Sequence, residues 1–516
     1  MDRSGTMGAQ HLDAGSSREE PLDDESGEPL AADRAVAPLH ALAATGLLAP
    51  LVRNGDRSLE RQLEERLDDA ITSGRLGAGV RLPSTRQLAS TLDVSRNVVA
   101  SAYEQLAARG RITARHGAGT FVADTLRLHG RPAPRGTPRW VRGAESTPSD
   151  AAGGWTPHVV DLRVRSGALA PLPAAAWRRS WRNAVANLGT TYGDARGDER
   201  LRRATAGFVR RTRGVSCSAD EILITAGASD AIALILRAVF AVGDSVAIED
   251  PGYQAIRPIA RMHGGSVMTL PVDDDGADVA QLSTGGRPPI AVHVTPTHQF
   301  PLGVELSGER RAALLAWAQE HGALVIENDY GGEFGFAEGT PPTLAALDDA
   351  GTVAYVGTFS RLLSPELRLG YVVAPRPLVD QVVALKRQID DYASTPTQRA
   401  VAHLIEDGEL ERHLRRVRRL AEYKRRRLEH GLAPVADRIR VTGLRTGLHV
   451  AIEVLDGPPP EEVARLARRR GVLVETLHDY RAEPGPDRLL LGYGAAEPSH
   501  LEAGLEQLRA ILARER

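Results

Sequence analysis

Apolar residues first recur at helical spacing just after residue 58. Four of them lie four positions apart: Leu59, Leu63, Leu67 and Ile71. Residues at this spacing share one face of an α-helix, which can then pack on a core. Ser58 stands where a helix N-cap is expected, and Gly74 stands where a helix of this length would end. The pattern therefore predicts one amphipathic helix between these two residues.

Two shorter helices and a hairpin are predicted next. The segment TRQLASTL follows Ser84 and the segment RNVVASAYEQLAAR follows Ser95, so each helix has a candidate N-cap serine. Gly110 is expected to close the second of these helices, with Val98 among its core positions. Residues 111–123 alternate apolar and polar side chains around a glycine-rich tip, as a two-stranded wing does.

Beyond residue 158, short apolar runs alternate with helical segments, which is typical of a doubly wound α/β sheet. Five runs read as buried strands: EILITAG, DSVAIEDPGY, IAVHVTP, ALVIEND and TVAYVGTFS. Each ends in a polar or glycine-containing turn. Open α/β sheets bind ligands at the carboxyl ends of their strands, so these turns are expected to line one cleft.

Composition divides the remaining chain. Residues 1–55 are rich in acidic and small residues and are expected to form a disordered extension, while residues 125–157 carry repeated Pro, Gly and Arg and are expected to form a linker.

A length of 516 residues allows two or three domains. The single cysteine, Cys217, excludes an internal disulfide framework and a multi-cysteine metal site. No run of 18 apolar residues and no signal-like N-terminus occurs, so a cytoplasmic, nucleoid-associated protein without membrane contact is expected.

Three segments in the helical region, LPSTRQLA, VSRNVVASAYEQL and HGAGTFV, closely resemble the DNA-binding domain of the GntR family. The resemblance implies a winged helix-turn-helix over residues 56–124 that binds double-stranded operator DNA, with its third helix in the major groove and its wing near the minor groove. Taken singly, each polar residue here could equally be an ordinary surface side chain. As an ordered set they are expected to contact DNA: Arg86, Ser95, Arg96, Asn97, His116 and Gly117.

Six motifs beyond residue 158 resemble fold-type I aminotransferases: YGDARGDERLR, EDPGYQAIR, TPTHQFPLGVELS, ENDYGGEF, GTFSRLLSPELRLGY and LLLGYG. Together with the winged helix they make residues 58–516 similar to the MocR subfamily of GntR regulators. The expected fold is thus multidomain, with a winged helix-turn-helix followed by an α/β aminotransferase-like domain over residues 158–516. The resemblance further implies a homodimer and a pocket for pyridoxal 5′-phosphate (PLP), formed by Ala228, Ser229, Tyr253, His298, Asn328, Tyr330, Ser360, Arg361 and Arg368.

The chain departs from this family at the residues nearest the cofactor. Arg361 stands where the family has the lysine whose amine bonds PLP, and a guanidinium is not an amine nucleophile. Asn328 replaces the aspartate that keeps the pyridine nitrogen protonated. Asp230 brings a carboxylate into the expected phosphate turn, which repels a phosphate unless it points away. Only two lysines occur in the whole chain, Lys386 and Lys424, and both lie in predicted helices outside these motifs.

These departures favour a regulator without transaminase turnover, whose second domain serves dimerisation and ligand sensing. Its effector is expected to be PLP held without a covalent bond, a preformed PLP–amine adduct, or another amino-acid-like anion. Two alternatives stay open: a PLP-dependent enzyme or PLP-responsive regulator that uses another anchor, and a DNA-binding dimer that needs no ligand. The basic helix predicted over residues 409–430 is expected to present a solvated charged face.

Overall fold

The computed structural model describes residues 50–53, 57–115, 117–123, 159–164, 170–186, 188–284, 286–335 and 340–513. The chain separates into two units, Met1–Ser149 and Asp150–Arg516. The predicted linker over residues 125–157 lies outside the described residues, as does all of the predicted extension except residues 50–53. None of the described helices is long and apolar enough to cross a membrane.

The first unit is a three-helix domain with a hairpin wing. Its helices are α1 (Leu59–Thr72), α2 (Thr85–Leu92) and α3 (Arg96–Ala108), and its strands are β1 (Ile112–Arg115) and β2 (Gly119–Val122), paired antiparallel. Its core includes buried side chains from all three helices and the first strand: Leu63, Leu67, Leu88, Val99, Leu106 and Ile112. The three predicted helices and the wing are therefore present.

Two of the three predicted serine caps form. Ser58 Oγ accepts a hydrogen bond from the Arg61 backbone N–H, and Ser84 forms a reciprocal capping box with Gln87. Ser95 occupies the predicted N-cap position of α3 and has the extended backbone of an N-cap, but its side chain makes no capping hydrogen bond.

Two further expectations about this unit are corrected. Val99 is fully buried, whereas Val98, the predicted core position, is only half-buried. Leu51, predicted to belong to the disordered extension, is buried in the core of the helical domain. The segment is also held by the side-chain amide of Gln62, which accepts from the Val52 backbone N–H at 3.0 Å and donates to the Val52 C=O at 2.9 Å.

An eight-stranded sheet organises the second unit, in the order β4-β11-β10-β9-β8-β5-β6-β7. Neighbours from β10 to β6 pair in parallel, β11 is antiparallel to both its neighbours, and β7 is antiparallel to β6. The strands are β4 (Ile222–Thr225), β5 (Ser245–Asp250), β6 (Ser266–Asp273), β7 (Gly276–Ala277), β8 (Ala291–Val294), β9 (Leu324–Asn328), β10 (Val353–Thr358) and β11 (Gly370–Val373).

Helices of this unit connect the strands and cover the sheet. They are α4 (Ala174–Ala186), α5 (Glu199–Arg213), α6 (Ala228–Val239), α7 (Ile256–Met262), α8 (Gly308–His321), α9 (Leu344–Leu347), α10 (Arg376–Ile389) and α11 (Thr395–Glu406). All five predicted strands are present within β4, β5, β8, β9 and β10. Every residue of the internal strands β8 and β10 is buried, as expected for strands covered on both faces, and the edge strand β4 is also fully buried.

The C-terminal lobe is built on a smaller antiparallel sheet. It contains β12 (Ile439–Thr442), β13 (His449–Val454), β15 (Glu475–Thr476) and β16 (Leu489–Gly492), while β14 (Val472–Leu473) pairs in parallel with β3 (Val160–Asp161). Its helices are α12 (Glu409–Leu432), α13 (Pro460–Arg469) and α14 (Pro498–Leu512). The basic helix α12 buries an apolar stripe that includes Leu410, Leu414, Val417 and Leu428, so its arginine-rich face is only part of its role.

Candidate functional site

The start of α3 presents polar side chains to solvent. Ser95, Arg96 and Asn97 are all exposed, and Arg86 is exposed on α2. Arg96 Nε donates to Thr85 Oγ1 at 3.3 Å. This is the arrangement that a helix-turn-helix needs, because residues at the beginning of the third helix reach base edges in the major groove.

The orientation of α3 is set by a buried tyrosine. Tyr103 is 6% exposed, and its hydroxyl donates to the Pro83 carbonyl at 2.9 Å, which ties α3 to the segment before α2. Gly117, at the turn of the wing, is exposed and has a φ of +74°, a conformation that glycine adopts without strain. His116 lies outside the described residues.

In the second unit, a cavity of about 280 Å³ opens at the carboxyl ends of the parallel strands. It is lined by the last residue of β9, the last residue of β10 and the first turn of α6. Of the nine predicted pocket residues it brings together eight: Ala228, Ser229, Tyr253, Asn328, Tyr330, Ser360, Arg361 and Arg368. The prediction did not include Ile232, Phe300, Thr358 or Pro365, which also line it.

One part of the cavity is suited to a phosphate. Gly227 caps α6 with a φ of +106°, and the first backbone N–H groups of this helix carry the positive end of its dipole. A Cβ placed on Gly227 would lie 3.5 Å from Arg368 Nη2, so the guanidinium sits beside the helix start. Arg368 itself has a φ of +44°, which is uncommon for a residue with a side chain. Ser360 Oγ lines the same cavity, is buried, and has no hydrogen-bond partner among the described residues.

The carboxylate in this turn points away from the phosphate position. Asp230 Oδ2 accepts a hydrogen bond from the Ala226 backbone N–H at 2.8 Å, on the strand side of the turn. The repulsion that its sequence position suggested is therefore reduced by its orientation.

The middle of the cavity is aromatic. Tyr253 hydrogen-bonds Ser229 through their hydroxyls at 2.7 Å, and Phe300 packs edge-on against both Tyr253 and Tyr330. Asn328 is 8% exposed, and its Oδ1, like the Tyr330 hydroxyl, has no partner among the described residues. Burial raises the pKa of Tyr330 well above its ordinary value, although the charge of Arg361 acts in the opposite direction. Tyr330 thus stays a hydrogen-bond donor at neutral pH.

Arg361 lines the cavity at the position of the expected anchor. Its Nη2 donates to the Val164 carbonyl at 3.4 Å, and its guanidinium carbon lies 5.1 Å from the centre of the Tyr330 ring. This stacking is the cation–π geometry that planar guanidinium groups adopt on aromatic faces. The cavity wall therefore presents a fixed positive charge where an amine was expected.

His298 does not line the cavity, which corrects one pocket prediction. Its ring is buried behind Tyr330, with Nε2 3.2 Å from His449 Nδ1 and Nδ1 3.2 Å from Thr446 Oγ1. The C-terminal lobe is responsible, because a Cβ on Gly447 would lie 2.2 Å from the His298 ring. Burial lowers the pKa of His298 to about 3.

Comparison with known proteins supports both domains. The family described as "Bacterial regulatory proteins, gntR family" matches residues 59–122, and "Aminotransferase class I and II" matches residues 165–485. The pyridoxine biosynthesis transcriptional regulator PdxR of Corynebacterium glutamicum is 32% identical over 88% of this chain and 95% of its own length. The probable rhizopine catabolism regulatory protein MocR of Rhizobium meliloti is 32% identical over 90% and 96%. The chain belongs to the MocR subfamily of GntR-type transcriptional regulators.

Solved aminotransferases share the fold of the second unit of this MocR-type chain. The α-aminoadipate aminotransferase LysN of Thermus thermophilus is 26% identical, with a TM-score of 0.62 over 69% of this chain and 92% of that one. A multiple-substrate aminotransferase of Thermococcus profundus is 23% identical, with a TM-score of 0.65 over 72% and 96%. The fold implies PLP by family resemblance, and the DNA-binding domain implies DNA as a partner.

The residues of this MocR-type cavity fit PLP only in part. The helix start with Arg368 and Ser360 suits the phosphate, and Asn328 and Tyr330 offer polar atoms that have no other partner among the described residues. No lysine is among the described residues that line the cavity. Lys386 Nζ contacts the Asp390 carboxylate at 2.7 and 2.8 Å, and Lys424 Nζ donates to the Gly494 carbonyl at 2.7 Å.

A buried ion pair next to the cavity was missed by the sequence interpretation. Asp329 Oδ2 accepts from Arg213 Nε at 2.6 Å and from the Tyr355 hydroxyl at 2.9 Å. Asp329 is therefore committed to this network, whereas the neighbouring Asn328 lines the cavity. The described residues also contain no group of three His, Cys, Asp or Glu that could hold a metal ion.

Proposed function

We propose that this regulator senses a small phosphate-bearing molecule without bonding to it covalently and without transaminase turnover. The proposal is supported by the make-up of one cavity: Ser360, Arg368 and the first turn of α6 are suited to a phosphate, and Arg361 lines the cavity where the family resemblance implies a lysine. The winged helix would bind operator DNA through Arg86, Ser95, Arg96 and Asn97, with the wing turn at His116 and Gly117 close to the minor groove.

Three properties of the cavity argue against turnover. A guanidinium stays protonated at accessible pH and is not an amine nucleophile. The side chain of Asn328 can hydrogen-bond a ring nitrogen but supplies no negative charge to keep it protonated. Both lysines have other partners, at Asp390 and at Gly494, and neither is among the cavity-lining residues. When bound, PLP supplies an electron-withdrawing ring, and here it would be oriented by Tyr253 and Tyr330 and held by Arg368.

Ligand sensing would act through a dimer. The two winged helices of one homodimer would bind two operator half-sites. A ligand that prefers one arrangement of the domains would change the affinity of the dimer for both half-sites together. For a tenfold change in operator affinity, the ligand must bind one arrangement of the domains more favourably than the other by about 1.4 kcal/mol of binding free energy. One or two hydrogen bonds to a charged group supply that amount.

The test is the affinity of the full chain for an operator duplex, measured with and without PLP, for the wild type and for Arg368→Gln. We expect PLP to change the affinity of the wild type and to have a much smaller effect on the variant, because the variant lacks the guanidinium beside the helix start. Unchanged affinity despite saturating PLP would exclude PLP as the effector and favour a dimer that needs no ligand. Conversion of an amino acid to its keto acid by purified protein would support the enzyme alternative.

A further inference from the structure

The cavity contains a second charged position beyond the phosphate contacts. Arg361 and Arg368 both line it, yet they contact different elements: Arg368 lies beside Gly227 at the start of α6, and Arg361 lies over Tyr330 and near the Val164 carbonyl. A phosphate bound at the start of α6 would therefore balance the positive charge of Arg368. Arg361 would still face the rest of the ligand.

No acidic side chain is among the described residues that line the cavity. Two buried acids behind its wall have polar partners of their own. Asp329 is paired with Arg213 at 2.6 Å, and Glu249 accepts hydrogen bonds from the Thr295 hydroxyl at 2.6 Å and from its backbone N–H at 3.2 Å. The charged groups that line the cavity are thus both cationic, and a ligand complements them best when it brings negative charge to each position.

We propose that the ligand carries a carboxylate that pairs with Arg361, in addition to the phosphate that binds beside Arg368. This inference rests on the proposed function and specifies its ligand class: a small aromatic phosphate ester that also bears a carboxylic acid. A planar guanidinium matches a planar carboxylate through two parallel N–H to oxygen bonds, a match that neither an aldehyde nor an alcohol provides.

The other parts of the cavity agree with such a ligand. Tyr253, Phe300 and Tyr330 also line the cavity and give it aromatic surface, which suits a ring. Asn328 Oδ1 is buried without a partner among the described residues, so the side-chain amide is available to hydrogen-bond a polar atom of the ring. The volume of about 280 Å³ accommodates a single substituted ring.

Three pyridine phosphates that differ only at the 4-substituent test the inference. 4-Pyridoxic acid 5′-phosphate has a carboxylate there, pyridoxine 5′-phosphate a hydroxymethyl group, and pyridoxamine 5′-phosphate an aminomethyl group that is protonated at neutral pH. Affinities for the full chain would be measured by calorimetry. We expect the acid to bind about tenfold or more tightly than the alcohol, since hydrogen bonds to charged groups exceed neutral ones by this order. The amine should bind most weakly because its charge repels Arg361.

Two variants separate the charged positions. Arg361→Gln should bring the affinities for the acid and the alcohol close together while changing the affinity for the alcohol little. Arg368→Gln should weaken the binding of all three ligands to a similar degree. The unfolding transition of each variant is first compared with that of the wild type, to establish that the variant is folded. The comparison of the three ligands on the wild-type protein does not depend on either variant.

The possible failures point to different conclusions. Equal affinities for the acid and the alcohol on the wild type would overturn the assignment of a carboxylate to Arg361 and leave the proposed sensing of phosphates intact. A preference for the acid that persists in Arg361→Gln would also overturn it. If none of the three ligands binds, the proposed function fails together with the inference.

Discussion

Replacing Arg96 by glutamine should weaken operator binding without unfolding the winged helix. The side chain is exposed in the first turn of α3, where its Nε donates to Thr85 Oγ1 at 3.3 Å. Surface substitutions of this kind usually change the free energy of unfolding by less than about 0.5 kcal/mol. Removing one side chain that hydrogen-bonds a base in the major groove costs about 1–3 kcal/mol, which corresponds to roughly 5- to 150-fold in affinity.

The dependence of binding on salt distinguishes the two kinds of contact that Arg96 can make. If Arg96 binds a phosphate, the slope of log affinity against log salt should become less negative by about 0.9 in the variant. If it binds a base, the slope should change little while selectivity at one base pair disappears. The assay is fluorescence anisotropy with a duplex that the wild-type protein selects from a random pool, repeated over a series of salt concentrations.

Arg61→Gln is the matched control. It removes the same charge from α1, where Arg61 is paired with Glu64 at 3.2 Å and with Glu65 at 3.1 Å. We expect its operator affinity to stay close to that of the wild type. The role given to α3 is refuted if Arg96→Gln binds the selected duplex with the wild-type affinity, salt slope and base preference.

Three further predictions concern stability. Tyr103→Phe leaves the Pro83 carbonyl without its donor and should lower the free energy of unfolding of the winged helix by about 1–3 kcal/mol in a denaturant titration. Arg213→Met leaves the Asp329 carboxylate buried without its partner and should destabilise the second unit by about 3–5 kcal/mol, read from tryptophan fluorescence; adding Asp329→Asn should recover part of this loss. His298 has a pKa of about 3 in the folded chain and of 6.5 when exposed. Between these two pH values the unfolded state binds more protons than the folded state. The free energy of unfolding therefore falls as the pH falls from 6.5 towards 3. The loss of free energy of unfolding should reach about 1.4 kcal/mol per pH unit and should be smaller in His298→Gln. If the free energy of unfolding depends on pH equally in the two proteins, the low pKa assigned to His298 is contradicted.

Local sequence signals predicted the features that depend on local chemistry. The helical spacing of Leu63 and Leu67 and the caps at Ser58 and Ser84 are properties of neighbouring residues, and the structure contains them. The strand ends were also predictable, because short apolar runs followed by polar turns place those turns at one edge of a parallel sheet. The individual cavity residues came from the resemblance to a family, which carries information that spacing alone does not.

Features that depend on distant residues could not be predicted in the same way. His298 is held behind the cavity by Thr446 and His449, about 150 positions later in the chain. The Arg213–Asp329 pair joins residues 116 positions apart. The local sequence around His298 resembles that of an exposed polar turn, and the local sequence around Arg213 resembles the end of an ordinary helix. The burial of these side chains is therefore visible only in the tertiary fold.

The central claim, that this cavity holds its ligand without a covalent bond because Arg361 replaces the anchoring amine, is tested most directly by reduction. The full chain is incubated with one equivalent of PLP, treated with borohydride and mapped by peptide mass spectrometry, in parallel with Arg361→Lys. We expect no pyridoxyl group on Lys386 or Lys424 of the wild type and stoichiometric modification of the new lysine in the variant. A pyridoxyl group on either native lysine, or an unmodified Arg361→Lys variant, would contradict the account.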